Sequence, residues 1–115
     1  MQYAMMIYAE PGYAEALPEA EREAVRAEFA ALTDDTRYVT AAQLQPAETA
    51  TCVRVAAGRT LMTDGPFADT KEVLGGVVLV EAANLDEVLE MAARIPVTRH
   101  GGVVEVRPVV EVVTR

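Results

Sequence analysis

Apolar positions recur with two periods along this chain, and the alternation between them lays out its elements. Residues 2–9 carry tyrosine, isoleucine and methionine on both alternating sets, which predicts a first strand with two apolar faces. Pro11-Gly12 breaks it. A helix is predicted from Pro18 to Asp34, where Val25, Phe29 and Leu32 fall at i, i+4 and i+7. Proline suits its first turn, and Glu19, Glu21 and Glu23 sit where the helix dipole favours negative charge. From Arg37 to Leu44 the pattern is mixed: Tyr38-Val39-Thr40 favours a strand and Ala41-Ala42-Gln43 weakens it.

Thr51–Val55 and Thr60–Thr63 are short strands joined by Ala56-Ala57-Gly58-Arg59, which predicts a hairpin. Gly75 to Glu81 is a further strand, apolar on both faces. Asn84 and Glu87 have capping-box spacing at the start of a second helix. Leu85, Val88, Leu89, Ala92 and Ile95 form its apolar stripe before Pro96 stops it. Gly101-Gly102 then opens a last strand, Val103 to Arg107.

Strand, helix, strand or hairpin, strand, helix, strand is the order of an α+β, ferredoxin-like antiparallel sheet with two helices on one face. Two helices cover one sheet face and leave the other wet, so the strands should alternate polar with apolar. The first strand and Val77–Val80 instead offer apolar side chains to both sides. A second copy of the chain, packed sheet against sheet, satisfies both observations, and a homodimer is therefore expected.

Composition narrows the picture. At 115 residues the chain has room for one domain, 1–115, and its 51% hydrophobic content excludes disorder. A net charge of −8 repels a phosphate backbone, so no nucleic-acid partner is expected. Cys52, the single cysteine, lies in an alternating run with no histidine nearby and is expected to be a half-buried strand thiol. The apolar start lacks a basic region and stops at Glu10-Pro11, so it is expected to be neither a signal peptide nor a membrane span. A cytoplasmic protein is the expectation.

Candidate chemistry concentrates in Asp64-Gly65-Pro66-Phe67 and the run on to Gly75-Gly76. Asp64 ends a strand and precedes a turn in which Pro66 fixes its own φ and should push Gly65 toward extended geometry. Two readings stand side by side. In one, Asp64 is a general acid or base on a small molecule, Phe67 an apolar wall and Lys71 a partner for an anionic group, with Gly75 and Gly76 allowing close backbone approach. In the other, Asp64 accepts backbone N–H bonds within an Asx-type turn and Phe67 is core. His100, the one histidine, is expected to be a solvated loop residue, or a proton-transfer partner if its loop folds over the cleft. Glu105 and Arg107 share a face and suggest a cross-strand ion pair. Glu21, Arg22 and Arg26 look like a solvated helix face. Tyr3 and Tyr8 lie on opposite faces of their strand.

The run from Leu61 to Glu72, with Leu74-Gly75-Gly76, Leu85-Asp86-Glu87, Ala92 to Pro96 and Gly101 to Val109, resembles the DGPF-type branch of the YCII-related family. The resemblance covers most of the chain and implies a dimeric α+β barrel. It also implies a cleft that, in many relatives, is thought to hold a histidine–aspartate couple. This chain has no histidine before His100, so the couple is not reproduced in its usual region. Nor does Arg37 to Gln43 carry the glycines common in this branch.

Two functions compete. One is a small-molecule-binding protein, which the resemblance extends to a cofactor-independent enzyme with Asp64 in a cleft of each protomer. Few aromatic residues, no tryptophan and no phosphate loop point to no cofactor. No metal cluster is evident, although Asp64, Asp69 and Glu72 would attract a cation weakly. The other is a non-enzymatic regulatory protein, which the resemblance links to an alternative sigma factor; its acidic surface would then dock on a basic partner.

Overall fold

The computed structural model describes all residues, Met1–Arg115. The chain runs β1 (Gln2–Ala9), α1 (Glu19–Thr33), β2 (Tyr38–Gln43), β3 (Thr51–Ala56), β4 (Arg59–Asp64), β5 (Val73–Glu81), α2 (Leu85–Ala93) and β6 (Val103–Pro108), with short 3-10 turns at Ala47–Thr49 and Pro96–His100. Four strands form one antiparallel sheet in the order β2-β5-β1-β6, while β3 and β4 pair only with each other. Setting that hairpin aside, the sheet has the ferredoxin-like arrangement.

The strand periods place the core. Tyr3 and Met5 of β1 and Val78 and Val80 of β5 face the helices and are buried against Val88, Met91, Ala92, Ile95 and Val97. Val104 and Val106 of β6 complete that side. The opposite face carries Met6 beside Val77 and Ala4 beside Leu79, none of them fully buried. Only 13 residues are buried, so much of the chain's apolar surface remains unhidden within one copy.

Helix α1 begins one residue after Pro18, which stands at the N-cap, and Val25 is its one buried residue, with Phe29 and Leu32 packed partly against the core. The ambiguous Arg37–Leu44 stretch resolves as an edge strand. Its register slips between Tyr38 and Thr40, which lets Tyr38 reach the core while Thr40 and Ala42 stay on the open side. In α2 the stripe differs from the expected one: Met91 is buried at 1% exposure, whereas Leu89 is 48% and Leu85 44% exposed. The helix is short, so the sheet touches a narrower strip than the five-residue stripe assumed. Asn84 Oδ1 accepts from the Glu87 amide at 3.0 Å, and Glu87 Oε2 accepts from the Ala83 amide, one residue before the cap.

The β3–β4 hairpin turns on Ala57 (φ 51°) and Gly58 (φ 73°), a two-residue turn with both centres in the left-handed region. Val53, Val55, Leu61 and Met62 are all exposed on it. The radius of gyration is 16.0 Å, against about 13 Å expected for a compact chain of this length. The β3–β4 hairpin, which pairs with no other strand, fits that extended shape. No helix is long and apolar enough to cross a membrane.

Candidate functional site

A cleft of about 910 Å³ opens between α1 and the β2-β5-β1 half of the sheet. One rim is the connection from β1 to α1, where Gly12 takes φ 81° and the chain coils through turns before the helix starts. Ile7, Val25, Phe29, Leu32 and Val78 supply apolar wall, and Tyr13, Tyr38, Arg22 and Arg26 supply polar groups. Gly75 and Gly76 line it too. The close approach at Gly76 is made by the neighbouring strand: a Cβ there would stand 3.1 Å from the Ala42 carbonyl oxygen.

A smaller cleft of about 380 Å³ lies between α1 and the α2 end, bordered by Asp35, Arg94 and Arg99. Its rims are tied by ion pairs. Arg99 reaches Glu28 at 2.5 Å and Glu21 at 3.0 Å, joining the turn before β6 to α1. Arg99 is the main reason the Glu21 carboxyl lies below the usual carboxylate range. Arg37 is gripped by Asp35 and reaches Glu87 at 3.4 Å. The larger cleft also carries a cation, Arg22, and no such pair engages it.

The residues singled out from sequence fall in different places. Asp64 is exposed at the end of β4 and does not line the large cleft. Its carboxylate accepts no backbone hydrogen bond, so the Asx-type turn is not formed; the Gly65 amide is instead bonded to the Ala50 carbonyl at 2.8 Å. Gly65 has φ 99°, a correction to the extended geometry expected. Glycine reaches this region freely, and the following proline disfavours the helical one. Phe67 is 72% exposed, neither core nor wall of the cleft; the Arg54 guanidinium lies over its ring at 5.5 Å. Pro66 and Lys71 are exposed as well, with Lys71 4.0 Å from Glu10. Cys52 is half-buried and its thiol donates to the Gly65 carbonyl at 3.2 Å.

His100 sits on the 3-10 turn, 3.2 Å from Glu21 and with its ring 6.2 Å from that of Tyr13. It faces α1 rather than the hairpin that carries Asp64. Burial, reinforced by Glu15 and offset by Arg99, raises the Tyr13 hydroxyl above its usual pKa. Glu105 and Arg107 form no cross-strand ion pair: they stand opposite Met6 and Ala4 of β1, and both are exposed. Asp64, Asp69 and Glu72 do not gather into a metal-binding group. The α1 face also needs correction: Glu21 is held by Arg99 and His100, and Arg22 is half-buried beside the cleft. Helical spacing alone could not show this, because the turn before β6 and the loop after β1 cover that face.

Known proteins fit this architecture. An uncharacterised protein, R00369, of Rhizobium meliloti (strain 1021) is 36% identical over 115 residues, covering 94% of this chain and 91% of the relative. A solved structure with the same fold is 5-chloro-2-hydroxyhydroquinone dehydrochlorinase (TftG) from Burkholderia phenoliruptrix AC1100, in complex with 2,5-dihydroxybenzoquinone. It superposes with a TM-score of 0.52 at 17% identity, covering 94% of this chain and 92% of that one. The profile of the YCII-related domain matches residues 1–113, and the chain belongs to that family.

Proposed function

We propose that the protein binds a small organic molecule in the large cleft of each protomer of a homodimer and acts on it without a cofactor. The observation that carries this reading is the cleft itself, about 910 Å³ with apolar walls and a few convergent polar groups. That size and lining are typical of small-molecule sites. The ligand held by the dehydrochlorinase is of the same size class, although a shared fold is a weak guide to reaction.

The homodimer would pair the open sheet faces, covering Met6, Val77 and Leu79. The Asp64-Gly65-Pro66-Phe67 run is the ground for placing the chain in the DGPF-type branch. Acid–base chemistry at Asp64 requires its hairpin to reach a cleft other than its own, as a dimer would allow. Docking on a basic sigma factor through α1 is less favoured, because Arg99 and Arg26 already engage Glu21, Glu28 and Glu23.

The test is a thermal-melting screen of small phenols, quinones and organic acids on wild type and Asp64→Asn, with amide spectra recorded for any compound that stabilises. Stabilisation accompanied by shifts at Gly75, Gly76 and Tyr13 is expected. Shifts confined to the hairpin around Asp64 would move the site there, and no stabilisation by any compound would sink the reading. Turnover lost in Asp64→Asn, with binding kept, would assign Asp64 the acid–base role.

A further inference from the structure

Arg22 combines partial burial in the large cleft with the lack of a carboxylate partner, whereas the other unpaired arginines are exposed. The chain has 18 acidic residues against 10 lysines and arginines, so carboxylates are in excess. Most arginines near the body use one: Arg26 is paired with Glu23, Arg37 with Asp35, Arg94 with Glu90 and Arg99 with Glu21 and Glu28. Arg22 has none. It lines the large cleft, it is half-buried, and its Nε is shielded from solvent without a hydrogen-bond partner. A donor withdrawn from water and left unbonded costs free energy, more so on a charged group.

Resting on the cleft as the ligand site, we propose that Arg22 is an anion anchor and that the ligand is a small cyclic carboxylic acid, aromatic or alicyclic. A planar guanidinium matches a carboxylate through two parallel N–H···O bonds, which a neutral hydroxyl or carbonyl cannot reproduce. A carboxylate would meet the guanidinium at its two terminal nitrogens, since Nε is shielded, and would neutralise the charge. The ring would then lie against Val25 and Phe29, one and two turns further along the same helix. Glu10 and Glu15 also border the cleft and would disfavour a ligand with further negative charge near them. A single carboxylate on a mostly apolar skeleton is the class that fits both.

Benzoate and salicylate, with benzamide and salicylamide as uncharged counterparts, separate charge from shape. Titration calorimetry and amide spectra would be run on the full chain and on Arg22→Gln and Arg22→Lys. The acids are expected to bind wild type about tenfold or more tighter than the amides, since charged hydrogen bonds are worth more than neutral ones. Arg22→Gln should remove that preference while leaving amide binding unchanged, and Arg22→Lys should restore part of it. Equal binding of acids and amides, or a preference that survives in Arg22→Gln, overturns the anion anchor and leaves the cleft standing. If neither class shifts the amides of Gly75 and Gly76 at millimolar concentration, the cleft reading falls with it. Circular dichroism of both variants guards against loss of fold.

Discussion

At Asp35, one carboxylate organises the passage from α1 into β2. Its Oδ1 accepts from the Arg37 amide and from Arg37 Nε, each at 2.9 Å, and Oδ2 accepts from Nη2 at 2.8 Å. The Arg37 side chain first, and its amide second, hold the Asp35 pKa down to about 2 from 3.8. The folded chain therefore keeps this group ionised at pH values where the unfolded chain has begun to protonate it. Its stabilisation is fully present above the unfolded value and is lost as pH falls through the folded one. Asp35→Asn should be less stable than wild type at neutral pH, and the gap should close between about pH 4 and pH 2. Urea midpoints across that range measure it; a constant gap would show that the carboxylate's charge is not what matters. Ala57 offers a second test at this scale. Its φ of 51° is a conformation glycine adopts freely and alanine resists. Ala57→Gly should stabilise the hairpin by about 1 kcal/mol, visible in the protection of its own amides.

Elements differ in how far their sequences disclose them. Strands β1 and β5 are legible because both alternating sets are apolar, and the hairpin because Ala57-Gly58 sits between two β-branched runs. The α2 stripe is legible in period but not in width, since which of its apolar residues are covered depends on how a short helix lies on the sheet. Met91→Ala should cost about 2–5 kcal/mol in denaturant unfolding, whereas Leu89→Ala should stay within about 0.5. Comparable losses would mean that the helix is rotated from the orientation described. Apart from Gly75 and Gly76, the lining of the cleft is not legible in the sequence. Its lining comes from residues scattered between Ile7 and Val78 and gathered by the β2-β5-β1 order, a long-range arrangement that local spacing does not encode. Asp64 stands out through its neighbours Gly65 and Pro66, yet those residues mark the chain's exit from the base of the hairpin as readily as a site. Arg22 reads with Glu21 and Arg26 as a solvated helix face, because helical spacing among glutamates does not show which arginine the cleft will cover.

For the whole molecule, the open sheet face sets the expectation. A layer with Met6, Val77 and Leu79 unburied should recruit a second copy, and light scattering should report twice the mass of the 12.4 kDa chain. Leu79→Glu should release monomers that retain the helical core, because Leu79 points away from the helices while its neighbours Val78 and Val80 face them. A wild-type monomer at micromolar concentration would refute the sheet-to-sheet arrangement.

The β3–β4 hairpin implies that this protein has two opening free energies rather than one. Its strands bond only to each other, and a two-stranded hairpin alone is marginal in water. Its amides should thus exchange with solvent through a local opening long before the sheet lets go, in a unit that a global denaturation curve does not see. Measuring that exchange at two protein concentrations separates its possible causes. If protection of Val53, Val55 and Met62 rises with concentration, a second copy holds the arm down; if it stays constant, the arm breathes freely while the body beneath it remains folded.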